Sequence, residues 1–317
     1  MVEFNYPSYE RLAKRKTMII KLTPSVKSYI WGGTNLKKYW NKASTDNTIA
    51  ETWELSLNSS GMCCVCGGQF EGKPLAEVIK SSDVGANSNG FPFFPVLVKL
   101  IDAAAPLSLQ VHPTDEYALK HEGKYGKTEM WHIVDAADGA YIYLGFNRDV
   151  TKEQFVDALN NKTLTNLLNK VSVRPNQTYF VPSGTIHAIG SGVTLIEIQQ
   201  NSDLTYRVYD YDRLGLDGKP RELHVNKALD VLNFGKYDVP DPKRDELLGK
   251  CKYFSSYRYS GNKSLYYPDS FASVTSLEGN LQVNDITLKK GETVFVSAGT
   301  EINISTDGSY CVVTVEK

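Results

Sequence analysis

Two distant segments of this chain carry the same pattern, and that repeat limits the fold more than any other feature. Residues Asn176–Thr185 read Asn-Gln-Thr-Tyr-Phe-Val-Pro-Ser-Gly-Thr, and residues Lys290–Thr300 read Lys-Gly-Glu-Thr-Val-Phe-Val-Ser-Ala-Gly-Thr. Each copy is a short apolar run followed by a turn with glycine, which is typical of a strand. The first copy leads into His187, whereas the second has no histidine. We therefore expect a second copy of one β fold that lacks a metal.

The other patterns also favour a mainly β protein with a few short helices. Thr151–Val171 is the main predicted helix, because Thr151 offers an N-cap and apolar anchors follow it. Lys236–Leu247 is rich in Asp, Pro and Lys and marks a boundary. Beyond that boundary the predicted strands are Phe254–Tyr259, Ser273–Leu277, Leu281–Val283, Thr293–Val296, Ile302–Ile304 and Tyr310–Val315. We predict an N-terminal extension over residues 1–17, a metal-binding domain over residues 18–235 and a smaller β domain over residues 236–317.

The charge balance and the apolar runs exclude two classes of partner. The net charge of −1 gives no basic footprint for nucleic acid or for an anionic membrane. Apolar runs such as Phe91–Leu97 are much shorter than a membrane span, and no secretory apolar region is found at the start. We therefore expect a cytoplasmic protein that binds neither nucleic acid nor membranes, and we expect a monomer.

Three of the five cysteines are crowded into the segment Cys63–Cys66. A structural zinc site is one interpretation, but such sites usually have a second cysteine pair downstream. The isolated Cys251 and Cys311 lie in strand-like surroundings. We expect all five to be reduced thiols in a reducing compartment.

The stretch Ser108–Pro113 places polar chemistry on one face of a strand. Alternate side chains of a strand point to the same face, so Ser108, Gln110 and His112 are expected side by side. A histidine before proline is more often only a strand-end residue. Ser108 has no adjacent base, so hydrogen bonding to a substrate suits it better than nucleophilic attack.

Two further segments supply matching groups. Lys127–Trp131, if extended, places Lys127 and Glu129 on one face, and the turn Val181–His187 ends in an imidazole. Alone, Glu129 is more often a solvated strand residue, and His187 is more often bonded to the backbone. Together, two imidazoles, one carboxylate and an amide among apolar neighbours predict a divalent metal site with one open position.

The metal and its charged neighbours indicate two chemistries. Zinc would act as a Lewis acid, whereas ferrous iron on the same ligands would activate dioxygen. The cations Lys127 and Arg207 suit an anionic substrate or charge that develops on oxygen. Glu51 and Glu54, on either side of Trp53, are further catalytic candidates, although the simpler interpretation is that one is exposed and the other bonds a loop. A phosphate loop, a serine nucleophile elbow and a dinucleotide fingerprint are absent from the sequence.

Five motifs together resemble a known family. They are Tyr29–Gly33, Ile49–Glu54, Leu107–Pro113, Lys127–Trp131 and Val181–Ala188. In this order, from about Met18 onward, the chain resembles type I mannose-6-phosphate isomerase of the cupin superfamily, in its short bacterial form. The resemblance implies two cupin-like β-barrel or jelly-roll domains and one zinc ion per chain. It also implies interconversion of mannose 6-phosphate and fructose 6-phosphate through a cis-enediol.

The resemblance also implies roles for individual residues. The implied metal ligands are Gln110, His112, Glu129 and His187, of which Gln110 can lie outside the coordination sphere in short forms. The family's catalytic arginine follows a glutamate by ten positions, and here these residues are Glu197 and Arg207. The implied catalytic residues are Arg207, Lys127 and Glu197, and the implied substrate-binding residues are Ser108, Lys127 and Arg207.

Three alternatives stay open at this point. The proton between C1 and C2 is carried by Lys127, Glu197, Arg207 or a zinc-bound water. Two functions other than isomerisation also stay open: an iron-dependent cupin dioxygenase, and a sugar-phosphate sensor that keeps the pocket without turnover.

Overall fold

The computed structural model describes residues 17–317, so the predicted extension lies, except for its last residue, outside the described residues. The strands of the first half are β1 Ile19–Thr23, β2 Ser25–Lys27, β3 Glu51–Leu55, β4 Cys64–Val65, β5 Val96–Ala103, β6 Leu109–Val111, β7 Glu129–Ala136, β8 Tyr141–Phe146, β9 Leu168–Ser172, β10 Thr178–Val181 and β11 His187–Ile189. The remaining strands are β12 Val193–Gln200, β13 Tyr206–Tyr209, β14 Leu247–Lys250, β15 Ser255–Ser260, β16 Lys263–Tyr266, β17 Ala272–Glu278, β18 Leu281–Val283, β19 Ile286–Leu288, β20 Thr293–Val296, β21 Glu301–Ser305 and β22 Ser309–Thr314.

The helices are short, as expected of a mainly β chain. The α-helices are α1 Asn35–Tyr39, α2 Leu75–Val78, α3 Ser81–Val84, α4 Asp115–His121, α5 Lys152–Asn160 and α6 Val225–Val231. Single 3₁₀ turns lie at Gly68–Phe70, Ala86–Ser88 and Leu164–Leu167. Within residues 17–317, no helix combines the length and the apolar character needed to cross a membrane.

Over the described residues the strands form four antiparallel sheets that stack in two sandwiches. One sandwich pairs the six-stranded sheet β10-β7-β12-β5-β3-β2 with the five-stranded sheet β13-β6-β11-β8-β9. The other pairs the seven-stranded sheet β14-β15-β22-β17-β20-β1-β4 with the four-stranded sheet β16-β21-β18-β19. A separate apolar core fills each sandwich, and the largest core lies between the six- and seven-stranded sheets. The predicted mainly β class is confirmed.

Strand β12 shows how this layering sorts side chains. Ile196 and Ile198 belong to the core between the six- and seven-stranded sheets. Leu195, which points to the opposite face, belongs to the core of the first sandwich, and Glu197 shares that face. Because a strand alternates its side chains, one sheet carries apolar packing on one face and polar chemistry on the other.

The six strands predicted after residue 247 all form, with small shifts of their ends. The two repeated segments also fold alike at their ends. Thr185 N donates to Pro182 O, and Thr300 N donates to Ser297 O, both at 3.2 Å. The division of the chain at residue 236 stays a prediction, and strands from both sides of it share one sheet, since β1 pairs with β20.

The helix predicted over Thr151–Val171 is wrong in its second half. Its start is correct, because Thr151 Oγ1 caps α5 by accepting from Gln154 N at 3.2 Å. The helix ends at Asn160, and Lys162 then takes a left-handed backbone conformation with φ of 58°. Residues 168–172 instead form β9, which pairs with β8 and completes the edge of the five-stranded sheet. Pairing with a partner strand outweighs the helical spacing of these apolar residues.

Candidate metal centre

Three strands converge on one buried group of side chains between the sheets of the first sandwich. His187 is the first residue of β11 and pairs directly with Gln110 of β6. Glu129 begins β7 in the facing sheet, and His112 directly follows β6. The three ligand atoms offered by His112, Glu129 and His187 all lie within 4.8 Å of one another. The arrangement expected from the sequence is therefore present in the fold.

Hydrogen bonds fix the orientation of both imidazoles. His112 Nδ1 lies 2.8 Å from Leu204 O, and His187 Nδ1 lies 2.8 Å from Thr185 O. A carbonyl oxygen only accepts, so each Nδ1 carries the proton and each Nε2 keeps its lone pair. Metal-binding histidines typically have this arrangement. Burial lowers the pKa of His112 to about 3 and also lowers the pKa of His187, so both rings are neutral near pH 7.

The carboxylate of Glu129 lies between these rings. Its Oε2 is 3.4 Å from His112 Nε2, and its Oε1 is 3.3 Å from His187 Nε2. The side chain is fully buried, and neither oxygen accepts a hydrogen bond of good geometry. Burial alone would raise the pKa of Glu129, but Lys127 and the two imidazoles hold it well below its usual range.

Lys127 provides the cation nearest to this carboxylate. Its Nζ lies 2.5 Å from Glu129 Oε2 and 3.1 Å from His112 Nε2. The same Nζ lies 3.8 Å from Glu197 Oε1. Only 4% of Lys127 is exposed, so its charge acts on these neighbours with little screening by water. The Lys127 ammonium group therefore lies between the candidate ligands His112 and Glu129 on one side and Glu197 on the other.

Glu197 belongs to a second set of buried charges behind Lys127. Its Oε2 accepts from Trp131 Nε1 at 2.8 Å, and its Oε1 lies 3.2 Å from Lys99 Nζ. Lys99 Nζ is also 3.4 Å from Glu51 Oε2. Burial and the nearby charge of Glu129 raise the pKa of Glu197. For Lys99, burial alone would lower the pKa, but Glu51 and Glu197 hold it above its usual value.

The partly exposed Arg207 and the buried Ser108 lie beside Gln110 on the five-stranded sheet. Arg207 pairs with Gln110 across β13 and β6, and its Nε donates to Ser108 Oγ at 3.2 Å. A second guanidinium nitrogen donates to Glu222 O at 2.9 Å. Gln110 Nε2 lies 3.4 Å from His187 Nε2, so the amide is adjacent to the three ligand atoms. The metal-ligand, catalytic and substrate-binding residues implied by the resemblance thus lie in this one region, whereas the further candidate Glu54 does not.

The donor set fits a divalent cation on three grounds. At formal charge, the buried carboxylates Glu51, Glu129 and Glu197 outnumber the ammonium groups of Lys99 and Lys127 by one. Two neutral imidazole nitrogens and one carboxylate form a donor set that zinc prefers. Glu129 Oε2 has the Lys127 ammonium group as a partner, but Oε1 has no donor, and a buried oxygen without a partner is costly unless a cation supplies one.

Sequence reasoning missed Lys99 and misjudged Glu51. Lys99 lies in β5, whose eight residues are all buried, and a lysine within such a strand needs a buried anion. That signal was available in the sequence. The simpler interpretation, that one of Glu51 and Glu54 is exposed, is wrong, because both are buried. Glu51 faces Lys99, whereas Glu54 pairs with Lys42 at 2.6 Å.

The cysteines take no part in such a group in the part of the chain that the structure describes. All five are thiols without a disulfide, which agrees with the expectation of reduced cysteines. Burial raises the pKa of Cys63 and of Cys311 to about 12, so both are inert, neutral thiols near pH 7.

Comparison with known proteins identifies relatives over most of the chain. Residues 19–141 match the family described as phosphomannose isomerase type I, catalytic domain. The chain is 38% identical over 267 residues to mannose-6-phosphate isomerase ManA of Bacillus subtilis, which covers 81% of this chain and 84% of that protein. The crystal structure of the mannose 6-phosphate isomerase from Bacillus subtilis superimposes with a TM-score of 0.82 at 34% identity, over 93% of this chain and 99% of that one. A zinc-bound mannose 6-phosphate isomerase shares the fold with a TM-score of 0.74 at 18% identity, over 94% of this chain and 100% of that one.

Proposed function

The chain belongs to the phosphomannose isomerase type I family, and on that premise we infer that it is a zinc-dependent mannose-6-phosphate isomerase. The reaction interconverts mannose 6-phosphate and fructose 6-phosphate. The observation that carries this inference is the buried cluster of His112, Glu129 and His187, whose ligand atoms all lie within 4.8 Å of one another and in which Glu129 Oε1 accepts no hydrogen bond.

We propose that His112, His187 and Glu129 hold the ion, with Gln110 as the adjacent fourth candidate. Support comes from the two Nε2 atoms, which lie 3.4 Å and 3.3 Å from the Glu129 oxygens, and from the Nδ1 bonds that fix the orientation of the rings. Zinc bound there supplies a Lewis acid for sugar oxygens.

The chain's own residues must then move one proton. A base removes the proton from C2, the electrons of the C–H bond form the double bond of a cis-enediol, and the carbonyl oxygen at C1 gains a proton. Protonation of C1 and loss of the proton from the C2 hydroxyl, which becomes the C2 carbonyl, then give the ketose. We propose that the buried pair of Lys127 and Glu197, whose Nζ and Oε1 are 3.8 Å apart, carries this proton. Trp131 and Lys99 support this assignment, since they hold both oxygens of Glu197 in place.

Arg207 and Ser108 suit the binding of the substrate. The guanidinium of Arg207 is half-buried and donates to the Ser108 hydroxyl, so a partly exposed fork of donors lies beside Gln110. Such a fork matches a phosphate or a charge that develops on oxygen. We propose that Arg207 engages the phosphate and that Ser108 donates to a sugar or phosphate oxygen.

The test combines metal analysis with a coupled isomerase assay. We expect about one zinc per chain, conversion of mannose 6-phosphate that chelation abolishes, and recovery when zinc is restored. His187→Gln should lose both zinc and activity, whereas Glu197→Gln should keep zinc and lose activity at least about a hundredfold. The exposed His121 provides the matched control, and His121→Gln should keep both.

Two other outcomes would support one of the alternative functions instead. Iron in the purified protein with oxygen consumption would favour the dioxygenase, and mannose 6-phosphate binding without turnover would favour the sensor. A monomer and a cytoplasmic location remain predictions, which gel filtration and cell fractionation test.

A further inference from the structure

Hydrogen bonds hold the backbone of Lys127 and of its neighbours in the chain to the rest of the protein. Tyr125, two residues before Lys127, is only 1% exposed. Lys127 N donates to Pro113 O at 3.0 Å, and Thr128 N donates to Gln200 Oε1 at 2.8 Å. The position of the Lys127 ammonium group therefore depends on groups that bind its backbone neighbours.

Asp115 links most of these groups. Its Oδ1 accepts from Gly126 N at 2.9 Å and from Gln200 Nε2 at 2.7 Å. Gln200 in turn holds Thr128, so one carboxylate fixes the residues on both sides of Lys127. The backbone at Gly126 is too close to Thr114 for any side chain, since a Cβ there would lie 2.4 Å from the carbonyl carbon of Thr114.

The second oxygen of Asp115 is held from a distant part of the chain. Tyr253, between β14 and β15 of the seven-stranded sheet, donates its hydroxyl to Asp115 Oδ2. Its ring also packs on Phe91 and edge-on against Tyr125. Burial and the Asp115 charge raise the pKa of Tyr253, so the phenol stays protonated and donates at all working pH values.

We propose that Asp115 and Tyr253 are positioning residues for the isomerase reaction, acting through the backbone on either side of Lys127. Neither residue touches the metal ligands. The seven-stranded sheet thereby contributes to catalysis, because its Tyr253 hydroxyl orients the carboxylate that fixes the lysine. This proposal rests on the proposed function for its kinetic effect. The tether itself, which is the hydrogen-bonded link from Tyr253 through Asp115 to Gly126 and Thr128, is measurable without turnover.

The experiment uses the zinc-loaded full chain with Tyr253→Phe, Asp115→Asn and the double variant. Tyr253→Phe should lower kcat about tenfold while KM changes by less than about twofold, because a small displacement of a catalytic group affects the reaction step more than binding. Zinc content should stay unchanged, and amide hydrogen exchange should accelerate in the peptide that contains Gly126–Thr128. In the Asp115→Asn background, the added Tyr253→Phe change should cost less than about twofold, since coupled residues are not additive.

Tyr257→Phe is the matched control. Tyr257 also donates its hydroxyl to a carboxylate, Glu316 Oε2 at 2.6 Å, but that pair has no link to Lys127. This variant should keep the kcat and the exchange rates of the wild type. Wild-type exchange at Gly126–Thr128 in Tyr253→Phe, an equal loss in Tyr257→Phe, or multiplicative losses in the double variant would overturn the proposal. If the wild type does not isomerise mannose 6-phosphate, the proposed function fails, and the exchange data still decide whether the tether exists.

Discussion

Removing one partner of the buried ion pair between Lys42 and Glu54 should destabilise the fold more than removing both. The side chains are 4% and 0% exposed, and Lys42 Nζ lies 2.6 Å from Glu54 Oε1. Lys42 also donates to Gly291 O at 2.6 Å. Thr293 of β20 donates to Glu54 Oε2 at 3.3 Å, so the pair joins the six-stranded sheet to the seven-stranded one.

The structure sets the expected magnitude. Glu54→Gln keeps the size and the acceptor oxygen but leaves the Lys42 ammonium group buried without an anion. A charge stranded in this way typically costs about 3–5 kcal/mol in the free energy of unfolding. Lys42→Met strands the Glu54 carboxylate and should cost about the same. The double variant carries no buried charge here and should lie within about 1–2 kcal/mol of the wild type.

Urea denaturation followed by tryptophan fluorescence measures these differences. Each single variant should lower the midpoint by on the order of 1 M, and the double variant should recover most of the loss. The double variant should also keep zinc and activity, because Glu54 points away from the metal centre. A Glu54→Gln variant within about 1 kcal/mol of the wild type, or a double variant as unstable as the sum of the singles, would refute the reasoning.

Three further predictions concern His132, Gly126 and Thr151. Burial lowers the pKa of His132 from 6.5 to about 4, so the unfolded chain binds more protons between these values. Stability should therefore be complete above pH 6.5 and fall toward pH 4, by up to about 3 kcal/mol, and His132→Asn should flatten this part of a urea-midpoint profile. Gly126→Ala should lower kcat more than about tenfold at unchanged zinc content in the coupled assay, since its Cβ forces the backbone beside Lys127 to move. Thr151→Ala should cost about 1 kcal/mol in urea unfolding through loss of the α5 cap, whereas wild-type stability would show that the cap contributes nothing.

The sequence allowed the candidate ligand residues to be grouped because each lies within or directly beside a predicted strand. Alternation alone places Gln110 and His112 on one face, and the structure brings them to His187 and Glu129. The end of α5 was missed because the spacing of Leu164, Leu167 and Leu168 fits a helix, and only the partner strand β8 decides otherwise. Pairings across long sequence distances were also beyond local patterns, since nothing near Asp115 indicates Tyr253.

The second sandwich explains how a metal centre with five buried charges is tolerated. In β12, Ile196 and Ile198 bury one face against the seven-stranded sheet, which frees the other face for Glu197. A sheet packed on both sides excludes water, and exclusion of water strengthens every interaction among the charges. The seven-stranded sheet also supplies Thr293 to Glu54 and Tyr253 to Asp115, which fixes the six-stranded sheet and its loops. We therefore expect that mutations in the second sandwich that change turnover do so by moving residues of the first sandwich, because the second sandwich supplies no group that reacts.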